Sequence, residues 1–192
     1  ERIIGYIEEF ASKSGGNIEN SRKIASIAVG IYRAFDKFNF LVFDPLEEFI
    51  IKGACLIYDI GKSVSPEFYY KSSMEIFVNS EIHEIKTKEK LMIALVTRYH
   101  TKSIPKYSHK WYTNLKDHDK MIVNKLSGFV RLAFAISKAT GFSSQLLYVD
   151  STRDSIEIGI KVEGNVNEII IDDMDKVLLE RMIGLPINIK IY

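Results

Sequence analysis

One cysteine, four prolines and one tryptophan are spread over 192 residues, and each scarcity removes a class of protein. The single thiol, Cys55, excludes an intrachain disulfide, a CxxC redox pair and a cysteine-rich zinc site. Its place in the apolar run Ala54-Cys55-Leu56-Ile57 marks it as buried, and a reducing cytoplasm is the expected compartment. No run approaches the roughly 18 apolar residues of a membrane span, and no charged segment followed by an apolar core opens the chain. The expectation is that no membrane is involved. A surplus of one charge sign is missing too: 26 Lys and Arg face 25 Asp and Glu, a formal net charge of +1. That sum argues against a polyanion coating the whole surface, although it leaves the distribution of charge open. What is present, 46% hydrophobic and 27% charged residues, is the composition of an ordinary globular protein. The length suits one domain of about 150 residues with a small appendage. The chain opens with Glu1 rather than Met, which fits a processed product or the tail of a longer protein.

Apolar spacing predicts a short helix through Ile3, Ile4, Ile7 and Phe10, closed by Ser14-Gly15-Gly16. Asn17 is a suitable cap for a second helix carrying Ile24, Ile27, Ile31 and Phe35 to about Phe38. Asp44-Pro45 opens a third, apolar all round and therefore buried, which is expected to stop near Gly61. Further helices are predicted from Ser65-Pro66 through Phe77, from Lys88 to His100, and from Lys120 to Gly141, with a long loop or broken helix between Thr101 and Asp119. Beyond residue 145 the period changes to two: Ile156, Ile158, Ile160 and Val162 alternate with Glu157, Gly159 and Lys161. A second strand over Val166 to Ile171, a helix capped by Asp172-Asp173, and a third strand over Ile187 to Ile191 complete a ββαβ tail. The expected architecture is mainly α, a helical bundle over residues 1–147 followed by a small α/β appendage over 148–192.

The near-neutral sum conceals a division. Residues 86 to 125 hold ten basic side chains, Lys86, Lys88, Lys90, Arg98, Lys102, Lys106, Lys110, Lys116, Lys120 and Lys125, against Glu89, Asp117 and Asp119. Tyr99, Tyr107, Trp111, Tyr112 and three of the four histidines share the window, while Asp150 to Tyr192 carries nine acids against five bases. Clustered cations beside stacking rings suit polyphosphate or single-stranded nucleic acid, both of which present repeated phosphates. A solvated lysine-rich loop with inward-packed rings is the alternative.

The segment Gly53-Ala54-Cys55-Leu56-Ile57-Tyr58-Asp59-Ile60-Gly61-Lys62 resembles the signature of the HD-domain superfamily, in which a buried helix ends in His-Asp and a glycine. Further elements narrow this to the helical C-terminal domain of exopolyphosphatases and guanosine pentaphosphate phosphatases, the Ppx/GppA family. They are Asn20-Ser21-Arg22-Lys23-Ile24-Ala25, Ile76-Phe77-Val78-Asn79-Ser80-Glu81-Ile82, Leu95-Val96-Thr97-Arg98-Tyr99-His100-Thr101-Lys102 with Pro105 beyond, Arg131-Leu132-Ala133 and Leu185-Pro186. The resemblance implies an HD-like helical bundle. It places the HD ligands at Asn20, Tyr58, Asp59, Tyr70, Ser72 and about Phe134, where only Asp59 keeps a ligand's chemistry. An HD phosphohydrolase needs imidazoles and carboxylates around divalent ions, so the expectation is a degenerate site with no catalytic residue, no metal and no cofactor. His83, His100, His109 and His118 show no HxxxH or HExxH spacing.

Asp59 is then expected to accept backbone N–H bonds or to pair with Arg131 or Lys62. The functional alternative is a relict cleft that takes an anion on Lys62, Lys71, Arg98 or Arg131. His100 is expected either to donate to phosphate or to end its helix as a satisfied, charged imidazole. The candidate anion-binding set is Arg98, His100, Lys102, Lys106, Lys110 and Arg131. In the family resembled, hydrolysis belongs to actin-like domains with glycine-rich phosphate loops, and Ser14-Gly15-Gly16 is not such a loop. The function expected is a non-catalytic accessory or regulatory protein that binds polyphosphate or another phosphate-rich anion, or docks to a separate phosphatase. An actin-like phosphatase partner or upstream domain and a homodimer follow as expected partners. Two alternatives stay open: an HD-type metal-dependent phosphohydrolase acting on nucleotides or polyphosphate, and a non-specific nucleic-acid-binding module.

Overall fold

A computed structural model describes residues 2–166 and 169–192. The helical body is built from α1 (Arg2–Lys13), α2 (Ile18–Lys37), α3 (Pro45–Leu56), α4 (Tyr69–Val78), α5 (Thr87–Arg98), the single turn α6 (Lys110–Thr113) and α7 (Asp117–Ala139). Asn17 caps α2 by accepting the Asn20 N–H, and Asp44 caps α3 by accepting the Leu46 N–H with Pro45 in the first turn. α3 and α7 are the axis of the body: α3 packs on α1, α2, α5 and α7, and α7 in turn on α2, α5 and α8 (Asp173–Ile183). Almost every residue of α7 from Leu126 to Ser137 is buried.

Three boundaries differ from the sequence expectation. α3 ends at Leu56, and residues 57–64 run on as consecutive turns, so Gly61 lies beyond the helix. It sits under α4, where a Cβ would stand 2.5 Å from the Tyr69 carbonyl oxygen and 2.7 Å from the Ser72 Cβ. Glycine here serves close approach rather than helix termination. α4 begins at Tyr69, not at Ser65-Pro66, where the Ser65 hydroxyl caps a separate bend by accepting the Phe68 N–H. α7 begins at Asp117, whose carboxylate, with that of Asp119, favours the helix N-terminus.

The C-terminal sheet has the order β1-β2-β3, with β1 (Ser144–Ser151) antiparallel to β2 (Ile156–Val162) and β2 parallel to β3 (Ile187–Ile191) across the α8 crossover. The ββαβ order holds, but the first strand is not the expected one. Val166 and residues 169–171 form no strand, and residues 167 and 168 of that expectation lie outside the described residues. The strand that pairs with β2 is β1, upstream, running across the junction expected at 147/148. Its alternation is broken by a register shift between Leu146 and Tyr148, which turns Leu147 outward and hides the period from the sequence. β1 rests on α2, and Leu146 fills the space left by Gly30, 2.5 Å from where its Cβ would be. Ile156, Ile158, Ile160, Leu179 and Ile187 are fully buried and belong to the same apolar cluster as the helical body. No helix among the described residues is long and apolar enough to cross a membrane.

Candidate anion-binding site

Tyr58 and Asp59 lie in the turns that follow α3. Asp59 is 7% exposed, and its Oδ2 accepts the Asn17 N–H at 2.8 Å, so the carboxylate ties the end of α3 to the start of α2. Its Oδ1 is buried without a partner. Burial pushes the carboxyl pKa above its ordinary value, while the Asn17 N–H and the Lys62 charge pull it back down. The backbone role expected for Asp59 is the one present, and Arg131 is not its partner. Lys62 instead stands over the rings of Tyr58 and Tyr69, 5.3 and 5.1 Å from their centroids.

Around Tyr58 the neighbours are aromatic. Its ring lies 5.5 Å from both His100 and Phe134, and His100 is 4.6 Å from Phe134, edge to face. His100 has no exposed surface; its Nε2 meets the Tyr69 hydroxyl at 2.9 Å and its Nδ1 meets the Thr97 carbonyl oxygen. A carbonyl only accepts, so Nδ1 carries the proton and Nε2 accepts from Tyr69. Burial pulls the imidazole pKa down to about 3, with Arg131, Lys62 and Lys138 adding to the effect. The charged imidazole expected at a helix end is therefore not present, because desolvation outweighs the helix dipole. Both ring nitrogens are engaged, which leaves His100 no donor for a phosphate. Among the described residues no three of His, Cys, Asp and Glu come together in a metal-binding arrangement.

The basic window from 86 to 125 divides in two. In one part the cations meet carboxylates: Lys88 pairs with Asp119 at 3.1 Å, Lys120 with Asp117 at 3.7 Å and Lys125 with the buried Glu47 at 2.6 Å. In the other part Lys102 shares the Tyr70 ring with Lys71 and donates to the Glu67 carbonyl, while Arg98 and Lys106 act with Lys71 on His109, α4 bringing Lys71 in by packing on α5. None of these four is ion-paired among the described residues.

Two rings organise this group. The Tyr70 ring lies beneath both Lys71 and Lys102, each ammonium 5.9 Å from its centroid, and Lys71 is also 5.4 Å from Phe68. The Arg98 guanidinium is 5.7 Å from the Tyr99 centroid, and Tyr99 stacks on His109, with 2.7 Å between its hydroxyl and His109 Nδ1. Partial burial and the charges of Arg98, Lys106 and Lys71 lower the His109 pKa, so these three cations bear on one imidazole. Arg98 Nε is buried and has no hydrogen-bond partner. Like charges gathered without ion-pair partners repel one another, and an added anion relieves that cost.

Of the expected anion ligands, Arg98 and Lys106 share the surroundings of His109, and Lys102 is linked to them through Lys71, which acts on His109 and shares the Tyr70 ring with Lys102. Lys110 opens α6, exposed, with no hydrogen bond or ring contact to the others among the described residues. Arg131 is 2% exposed and spends its guanidinium on Tyr99, Ser103, Met174 and Asp175, so it faces no ligand. Sequence reasoning missed His109 as a member, although it lay inside the basic window. Tyr70 as a common platform for Lys71 and Lys102 had no signal in the sequence.

No curated protein matches the chain. The profile described as Ppx/GppA phosphatase, domain III, matches residues 6–174, from within α1 through the other helices of the body and strands β1 and β2 to the first two residues of α8. By that match the chain belongs to the Ppx/GppA phosphatase domain III family.

Proposed function

We propose that this chain is a non-catalytic accessory or regulatory module that binds polyphosphate, or another anion with repeated phosphates, on Lys71, Arg98, Lys102, Lys106 and His109. The carrying observation is that three cations without an ion-pair partner among the described residues, Lys71, Lys102 and Arg98, stand over two tyrosine rings, while the charges of Lys71, Arg98 and Lys106 bear on His109. The partly exposed Arg98 guanidinium offers a phosphate charge-assisted hydrogen bonds, and the lysines supply point charges for successive phosphates of a chain. Family membership makes polyphosphate the first ligand to test.

The non-catalytic part of the reading rests on how the HD positions are used. Tyr58 packs against His100 and Phe134, and Asp59 holds the Asn17 N–H, so both residues have structural employment. Hydrolysis would then be the work of an actin-like phosphatase domain, upstream in the same polypeptide or on a separate chain. Phosphatase activity in the isolated chain with added divalent metal, abolished by Asp59→Ala, would overturn this part and favour the HD hydrolase.

Binding is measured by titrating labelled polyphosphate at several salt concentrations. The wild-type chain is expected to bind with an affinity that falls steeply with salt, and Arg98→Ala and Lys102→Ala each to weaken it about tenfold, the worth of one charge-assisted contact. Wild-type affinity in both variants, or no binding below millimolar, contradicts the site. Exposed Tyr107 and Trp111 beside Lys106 and Lys110 favour nucleic acid as the second reading. An oligonucleotide that displaces polyphosphate, and not the reverse, decides for it.

A further inference from the structure

Arg131 is among the largest buried side chains of the described residues, and it is a cation. A guanidinium so placed persists only when its donors are met. Those donors run to two separate parts of the fold. On one side Nε donates to the Met174 carbonyl at 3.0 Å and lies 3.3 Å from Asp175 Oδ1, both in the first turn of α8. On the other, Nη1 donates to the carbonyls of Tyr99 at 3.0 Å and Ser103 at 2.8 Å, the two ends of the short loop that leaves α5.

Between those two pinned carbonyls lies Lys102. Its φ is +57°, in the left-handed region that a lysine rarely adopts, and the Ser103 N–H reaches back to the Thr101 carbonyl at 2.6 Å across it. This turn directs Lys102 back toward α4, where its Nζ donates to the Glu67 carbonyl at 3.1 Å and stands over Tyr70 beside Lys71. An unusual backbone conformation survives only where its surroundings over-determine it. Backbone bonds at the end of α5 hold the Tyr99 end as well, but one side chain, Arg131, grips both ends and is anchored in turn on α8.

We propose that Arg131 is a positioning residue for the anion site: it holds the Tyr99–Ser103 loop in the left-handed turn that presents Lys102, and the docking of α8 sets that hold. The C-terminal unit thereby controls the cation cluster without touching the ligand. Displacement of α8, by a partner that binds it or by loss of the Asp175 contact, releases Lys102 and weakens the site. This rests on the anion-binding reading above.

The test is a double-mutant cycle with polyphosphate of defined length as probe, at two or more salt concentrations. Lys102→Ala is expected to weaken binding about tenfold and to lower the salt slope by about one ion. Arg131→Lys keeps the charge but not the fork of donors, and is expected to match Lys102→Ala in both readouts. In the Arg131→Lys background, Lys102→Ala should then change nothing further. A purely structural Arg131 predicts a lower melting temperature with unchanged affinity in the folded protein. That result, or effects that multiply, overturns the proposal. Should Arg131→Lys not fold, Asp175→Asn takes its place. Faster amide hydrogen exchange at Ser103 and binding weakened about threefold, non-additive with Lys102→Ala, uphold the coupling; unchanged exchange and affinity refute it. The two failures are distinct: Lys102→Ala with wild-type affinity refutes the anion reading at this position, whereas a weakened Lys102→Ala beside an unaffected Arg131→Lys refutes the coupling alone.

Discussion

At position 100 a titratable ring is held uncharged by what surrounds it. The folded His100 has its pKa near 3, against an ordinary value of 6.5. Between those values the unfolded chain binds a proton that the folded chain refuses, so stability is full above pH 6.5 and is lost as pH falls toward 3. The slope attributable to this residue is at most about 1.4 kcal/mol per pH unit. Urea midpoints of the wild type and His100→Gln from pH 8 to pH 4 check this. The variant is expected to be less stable at pH 8 and to have a flatter acid limb, whereas parallel limbs would show that His100 is charged in the fold. Asp59 acts with the opposite sign: its raised carboxyl pKa erodes stability as pH rises through the window above its unfolded value of 3.8. Both residues were visible in the sequence as special, but their states were not. His100 lies two residues past the end of α5, where a dipole argument from the sequence favours charge; the packing of Tyr58, Tyr69 and Phe134 around it reverses that. Arg98, Lys102 and Lys106 were legible because they are close in sequence, while the burial of Arg131 could not be told from its helical spacing.

The turns between α3 and α4 show how an element boundary makes a site. Gly61 lets α4 close onto the chain behind Asp59, and the Ser73 hydroxyl stitches the two by accepting the Gly61 N–H and donating to the Tyr58 carbonyl. A methyl group at Gly61 meets α4 backbone, which yields little. Gly61→Ala is therefore expected to cost about 2–3 kcal/mol, measured by urea unfolding. Gly5→Ala is the control, since a Cβ at that exposed position of α1 meets nothing within 4 Å. A Gly61→Ala cost no larger than the control would refute the close approach. The helices were legible because caps and 3.6-residue spacing are local. β1 was not, because a shift of register beside Leu147 breaks the two-residue period that identifies a strand.

Over the whole molecule the charges are sorted rather than sparse. Lys88, Lys120 and Lys125 of the basic window are paired with Asp119, Asp117 and Glu47, whereas Arg98 and Lys102 stand without an ion-pair partner over Tyr99 and Tyr70. The sheet and α8 share one apolar cluster with the helical body, so bundle and appendage are expected to unfold together. Calorimetry should give one transition with equal calorimetric and van't Hoff enthalpies, and two resolved transitions would show that residues 1–147 and 148–192 fold separately. The lone thiol offers a clock for that event. Cys55 is wholly buried in α3 and its pKa is pushed well above the usual range, so the native protein presents no thiolate to a labelling reagent. Any alkylation of the unmodified chain thus counts molecules that have opened to the centre, and a cysteine introduced on the surface can be tagged without a competing native thiol.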